Sequence, residues 1–539
     1  MVRKSVCLRR PSLRILSFCL VALLISGSNL FANSAPTSSR NGRSSKGGKN
    51  VSAAVAARFL EQSSWGPTAA TIAQVQQGDL PTYLQQQFTA PISTYVAPGP
   101  DDKIDFVQNQ FFVNAVQGQD QLRQRVSFAL AEIIVISGIG PNIKSPTAFS
   151  LWMNMLQSDA FGNFFNIIND VTLSPGMGSY LNMANNNGCS TRCRPNENYA
   201  REILQLFTIG LYQLNPDGTP MLDHNGDLIP TYGQDEIDGF GQLFTGWTYP
   251  PKPGKTAHFF DGPYYSGPLL SFQKHYSKSS KILLNGFTIP GGGNVQTDLT
   301  TGLQNIFNHP NVGPFICQQL IEKLVTSNPI PAYVSRCTQA FDDDGTGVRG
   351  NMQAVISEIL LDSEARRGDD PSQLQPSDGH LREPLLHILA SMRAVNAATD
   401  GVNLSNYGNG MLQAPFLSPS VFNFYPPDFH IAGTGLVGPE FDILNANTTF
   451  ARVNFINDLI YGSVGPHTTI DISPYVNAAG NVTNLLNLVN TNLMHGAMPS
   501  DMSSTLSATL SSGAFSGNTQ IAQAALYLVL SSSQFQVEH

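Results

Sequence analysis

The sequence predicts a mainly α fold: one large helical domain carrying a small β-meander insertion and long ordered loops. Three observations lead to this. Apolar residues recur at three- and four-residue intervals along most of the chain, as in Leu122, Val126, Ala129, Leu130, Ile133 and Ile134, the spacing of one helix face. The Val/Ile runs that a buried parallel sheet requires are missing between these stretches. Two turn signals, Pro216-Asp217-Gly218 and His224-Asn225-Gly226, crowd into one short region, as in a meander.

Taken in order, residues 1–34 read as a secretory signal. Arg3, Lys4, Arg9, Arg10 and Arg14 form a basic start, residues 15–25 an apolar core too short to span a bilayer, and Ala32-Asn33-Ser34-Ala35 a small-residue cleavage region. Arg9-Arg10 weakly resembles a twin-arginine signal, and general secretion fits equally well. Residues 35–50, rich in Ser, Gly, Lys and Arg and free of acids, read as a flexible linker. The domain then runs from 51 to 539. Helical spacing covers 53–62, 68–88, 120–137, 150–170, 196–210, 234–246, 313–326, 351–367, 380–397, 443–461, 482–495 and 518–531. The meander falls at about 212–232. Residues 248–295, rich in Pro, Gly and aromatics, form an irregular excursion of the kind that often carries function. Residues 462–518 are rich in Ser, Thr, Asn and Gly.

Charge narrows the function classes. Only 13% of residues are charged, about half the usual share. The 30 Lys and Arg include nine before residue 51, whereas all 38 acids come after it, so the region from 51 carries a net charge of −17. That balance argues against nucleic acid and anionic membrane surfaces as partners. No segment after the signal is long and apolar enough to span a membrane, which makes the expected location periplasmic or extracellular. Cys7 and Cys19 lie within the signal, leaving Cys189, Cys193, Cys317 and Cys337. An even count in an oxidising compartment predicts disulfides, with the local pairing expected and zinc as the alternative.

Chemistry concentrates in residues 194–207, Arg-Pro-Asn-Glu-Asn-Tyr-Ala-Arg-Glu-Ile-Leu-Gln-Leu-Phe, and in 235–247, which ends Leu-Phe-Thr-Gly-Trp. On a helix, Tyr199, Ile203, Leu206 and Phe207 share a face, and Glu197 and Arg201 pair at i and i+4 on the other side. The two segments resemble the central motif of the bacterial family catalogued as domain of unknown function 1800. Further segments match that pattern in order. They include Arg58-Phe59-Leu60-Glu61-Gln62, Leu122-Arg123-Gln124-Arg125-Val126, Ala160-Phe161-Gly162-Asn163 and Phe341-Asp342-Asp343-Asp344-Gly345. Arg382-Glu383-Pro384 and Pro419-Ser420-Val421-Phe422-Asn423-Phe424-Tyr425 follow. The resemblance implies an exported protein of unestablished activity, often encoded beside a sulfatase-like exported partner.

Two readings follow. The first is a binding or assembly protein that presents Trp247, Tyr249, Phe259, Phe260, Tyr264 and Tyr265 to a partner. The second is a metal- or carboxylate-dependent hydrolase in which Glu197 and Glu202, oriented by Arg201, act with His275. Asn196, Asn198, Trp247 and Lys281 are the expected binding residues. His258, Asp261 and His275 could join the glutamates around a metal if the excursion folds back on them, although glutamates five apart do not stack on one helix face. Asp342, Asp344 and Thr346, with Gly347 in sixth place, imitate a calcium loop, but Gln353 replaces its bidentate acid. Ser271-Phe272-Gln273-Lys274 fits S-x-x-K without its usual companion motifs. No motif assigns a cofactor.

Overall fold

The computed structural model describes residues 51–188 and 194–539. The signal and linker, together with Cys189 and Cys193, lie outside these residues. Among the described residues, 22 α-helices account for nearly all regular structure, and the sheets are antiparallel pairs of two strands. The fold is therefore mainly α. No helix among them is long and apolar enough to cross a membrane.

Short polar side chains, most of them neutral, are put to use at helix starts. Ser52, Thr68, Asp79, Asn163, Asn294, Asn351, Asn445, Asn481 and Ser532 each accept a backbone N–H of the helix they precede, satisfying donors that have no partner within the helix. The same signals correct two sequence expectations. The stretch 68–88 divides into Ala69–Gln77 and Leu80–Phe88 because Gly78 ends one helix and Asp79 caps the next. The stretch 150–170 divides into Pro146–Asp159 and Phe164–Leu173 because Asn163 caps the second. A third correction lies at 380–397. His380–Leu381 pairs as a strand with Val537–Glu538, and the helix runs Pro384–Ala394 with Pro384 in its first turn.

Helix Gln121–Ile133 lies at the centre, against Pro146–Asp159, Leu80–Phe88 and Val312–Leu324. Its neighbour Val312–Leu324 also packs along Pro331–Asp342, and Cys317 is bonded to Cys337 between the two, with Cα atoms 5.7 Å apart. Closing a loop of this length stabilises a fold by about 3 kcal/mol. Helices Ala446–Tyr461, Val482–Leu493 and Gly517–Leu530 form a neighbouring layer, which meets the centre through Pro384–Ala394 and Ala53–Ser63.

Residues 211–231 form three short extended segments. Gln213 donates to Ile229, Ile229 to Met221 and Met221 to Gln213 through their backbones, so the segments close on one another and leave no free central edge. The excursion that follows is ordered by small pairs, Trp247–Thr248 with Leu270–Ser271 and Lys281–Ile282 with Thr288–Ile289. Helix Gln234–Leu243 sits directly on the second pair. A Cβ on Gly239 would come within 1.8 Å of the Ile282 carbonyl oxygen, so only glycine permits this approach.

Candidate functional site

The segment richest in charge forms a short helix, Asn198–Glu202, that passes into a π-helical turn over Ile203–Thr208. Within the turn the Ile209 N–H reaches back five residues to Leu204. The wider turn rotates the side chains. Tyr199, Ile203, Leu204 and Phe207 enter the core, while Leu206, expected on that face, is half-buried on a cleft wall.

The charges of this segment stay at the periphery. Glu197 and Arg201 pair at 2.6 Å, with Arg201 43% exposed, and Gln234 bonds to both. Glu202 is half-buried; burial raises its pKa, opposed by Arg201. It lies close enough to Tyr180 and Tyr232 to help push both hydroxyls up to about 12, chiefly a burial effect. Asn196 exchanges two hydrogen bonds with Asn186, and Asn198 donates to Asn182.

His275 lies flat on Phe259, ring centres 3.9 Å apart, with Nδ1 3.2 Å from the Asn187 side-chain oxygen Oδ1. Burial and Lys274 lower its pKa. Trp247 is buried beside its strand partner Ser271. Lys281 is fully buried and donates to the Ser277 and Ser279 carbonyls, 3.8 Å from Asp298 and over the Tyr276 ring. Burial lowers its pKa, opposed by Asp298. Each of these residues has a local structural partner. Among the described residues, no group of three or more His, Cys, Asp or Glu could hold a metal ion. In the calcium-like loop, Asp343 and Asp344 accept the loop's own N–H groups and Asp342 pairs with Arg349. The loop thus satisfies its own carboxylates.

Buried charge gathers elsewhere, at the floor of a cleft of about 560 Å³. Glu132, at the end of the central helix, accepts from Asn423 at 2.9 Å and lies 3.5 Å from Lys323 Nζ. Lys323 Nζ also lies over the Tyr425 ring and 3.4 Å from its hydroxyl. That hydroxyl donates to Glu383 at 2.6 Å, and Gln413 donates to Glu383 as well. The two glutamates sit within hydrogen-bonding reach of each other. Burial, reinforced by Glu383, raises the Glu132 pKa well above the usual range. Burial also disfavours charge on Glu383, but Lys323, Glu132 and Tyr425 together hold its pKa low. Burial thus disfavours charge on Glu132, while Lys323, Arg125 and the Tyr425 hydroxyl favour it on Glu383.

The cleft walls come from four parts of the chain. The π-turn contributes Gln205 and Leu206, and the start of the meander adds Leu211, Tyr212 and Leu214. Helix Val312–Leu324 supplies Phe315, Gln318, Glu322 and Lys323, and residues 421–440 supply Phe422, Tyr425, Asp428 and Glu440. Gly210, at φ +73°, admits the Phe315 ring, which would lie 2.8 Å from a Cβ there. The Glu322 carboxyl accepts from Gln318 at 2.9 Å, and burial pushes its pKa up to about 7 against the pull of Gln318 and Lys323. Glu440 faces His380, whose pKa is held at about 9 because Glu440 and Glu538 outweigh its burial.

Reasoning from charge density missed Glu132, Lys323 and Glu322. A signal for the site was nonetheless present. Three of the family-like segments, 122–126, 382–384 and 419–425, converge here. Arg125 donates to the Lys323 carbonyl, and Glu383, Asn423 and Tyr425 belong to the other two.

No curated protein and no solved structure matches the chain. A family model described as "Protein of unknown function (DUF1800)" matches residues 58–537, and the chain belongs to that family.

Proposed function

We propose that the chain is a carboxylate-dependent hydrolase whose acid and base are Glu132 and Glu322 in the central cleft. One observation carries this reading: two glutamates line the same cleft, and burial raises the pKa of both, Glu132 well above the usual range and Glu322 to about 7. Paired titratable groups pushed apart in this way are the usual basis for assigning an acid and a base. Glu132, kept neutral by burial and by Glu383, would give a proton to the leaving group. Glu322, ionised for part of the time near neutral pH, would take one from water. Lys323 acts on Glu132 directly, Tyr425 acts on it through Glu383, and Gln413 reaches both glutamates. The roles expected of Glu197, Glu202 and His275 pass to these residues in this reading, with no metal required.

The test is turnover of chromogenic glycosides, esters and peptide anilides across pH. Rates should rise through about pH 7 as Glu322 ionises, Glu132→Gln should abolish turnover, and Glu322→Gln should remove the rise. A folded protein with no turnover on any of the three classes would sink the reading.

A second reading, binding or assembly with an exported partner, is favoured by exposed apolar side chains: Leu211, Tyr212 and Phe422 on the cleft, and Met221, Leu222 and Leu228 in the adjoining meander. The family resemblance suggests a sulfatase-like protein as that partner. Both readings assume export, which rests on the basic, apolar and small-residue pattern of residues 1–34. Pull-down from periplasmic extract with the wild type and with Leu222→Asp distinguishes this reading, because a partner on this face is lost in the variant.

A further inference from the structure

The cleft also indicates the kind of molecule it holds. Its apolar wall is formed by Leu206, Leu211 and Phe315, while Glu132, Glu322, Asp428 and Glu440 also line it. Lys323 is the only lysine or arginine among the lining residues, and it is already engaged with Glu132 and Tyr425. Among the described residues, Glu322 and Asp428 make no ion pair. Glu440 is 3% exposed, and its Oε1 faces His380 at 3.7 Å while its Oε2 accepts no hydrogen bond. The neighbouring Ser327 hydroxyl, also on the cleft, is buried without a partner. A buried carboxylate oxygen left without a donor costs free energy that a donor-bearing ligand would recover.

From this we infer that the cleft takes a protonated primary amine on an apolar stem, its ammonium against Glu440 and its stem along Phe315 and Leu206. The inference rests on the cleft being the functional site and names the substrate class for it. An ammonium offers three donors and no acceptor. It therefore suits a wall whose free groups are a carboxylate oxygen, a hydroxyl and a half-ionised glutamate. A carboxylate or phosphate ligand would find its one lining cation already paired and would meet Glu322 and Asp428 as like charges. A purely apolar ligand would leave Glu440 Oε2 unsatisfied.

Isothermal titration of the full chain with hexylamine, hexanol and hexanoate tests the inference. Hexylamine should bind about tenfold or more tighter than hexanol, the range of a charge-assisted hydrogen bond, and hexanoate more weakly still. Affinity for the amine should rise between about pH 6 and about pH 8, where the amine stays protonated and Glu322 loses its proton. Lys323, Gln318 and Glu440 are the groups facing Glu322 over that range. Glu322→Gln should flatten the pH dependence and Glu440→Gln should lose the tenfold preference. Because Glu440 also supports His380, the half-buried Glu322 variant stands as the second test if the first misfolds.

Equal binding of hexylamine and hexanol, preferential binding of hexanoate, or no binding of any probe would overturn the inference. Amine binding without turnover on the chromogenic panel would support it while removing the hydrolase reading. Turnover of neutral substrates that hexylamine does not inhibit would do the reverse.

Discussion

The segment 194–247 and the cleft floor concentrate charge in opposite ways. The first gathers its charges along one short stretch of sequence, and the second draws single residues from positions 132, 323, 383 and 425. Neighbours in a helix cannot enclose one another: the Glu197–Arg201 pair lies along a helix surface and stays partly in water. Enclosure needs walls from other elements, so the groups most withdrawn from solvent, Glu132, Glu383 and Tyr425, are far apart in sequence. Perturbed protonation follows enclosure rather than density. Glu132 is enclosed by several elements, whereas Glu197 stays partly exposed.

Stability should show the contrast most strongly at Lys323. Lys323→Met leaves the Glu132 and Glu383 carboxyls enclosed with no ammonium beside them, and removing one partner of a buried pair costs about 3–5 kcal/mol. Urea denaturation should show that loss, whereas Arg201→Met should change stability by no more than about 0.5 kcal/mol. If Arg201→Met proved the costlier, the contrast would collapse. Lys281 sharpens the comparison because it lies near the dense segment but is fully buried. Lys281→Met strands two carbonyls and Asp298, although Tyr276 still donates to Asp298. A cost of about 1–3 kcal/mol is expected by the same measurement.

The pH response should separate the regions too. The folded pKa of Glu322, about 7, lies above its unfolded value. Its contribution to stability is therefore complete below about pH 4.5 and is lost as pH rises toward about 7. Glu322→Gln should remove a decline of about 1–2 kcal/mol across that window, the linkage of such a shift discounted for its partial exposure. Denaturation midpoints at both ends of the window measure this. An unchanged decline in the variant would assign it to another group.

The legibility of the molecule follows the same physics. Helix faces were readable because burial there depends on local spacing, as in Ala53–Ser63 and Gln121–Ile133. Helix Ile104–Gln117 was missed because its Phe and Val residues are distributed around the helix and it packs on several sides, so no single stripe marks it. Leu206 was placed on the core face because a π-turn inserts an extra residue that regular spacing does not foresee. The cleft was hidden for a related reason. Glu132 sits at the end of an apolar helix and Lys323 at the end of another, each reading as an ordinary terminal charge. Only the approach of helices 121–133 and 312–324 turns them into a buried cluster with Glu383 and Tyr425. Cys317 and Cys337 pair locally as expected, although the second helix of the hairpin that joins them, Pro331–Asp342, is not among the stretches read as helical.

The smallest expected effect tests the exposed side of the comparison directly. A double-mutant cycle on Glu197→Ala and Arg201→Ala should give a coupling of about 0.3–0.5 kcal/mol that fades with added salt, as for exposed i,i+4 pairs. Gln234 bonds to both side chains and bridges them to the next helix, so some of the coupling should persist until Gln234→Ala removes it. A coupling above about 1.5 kcal/mol that salt does not weaken would mean that the pair is enclosed in solution, for instance by a bound partner or ligand. The dense segment would then regain the functional weight that its composition first suggested.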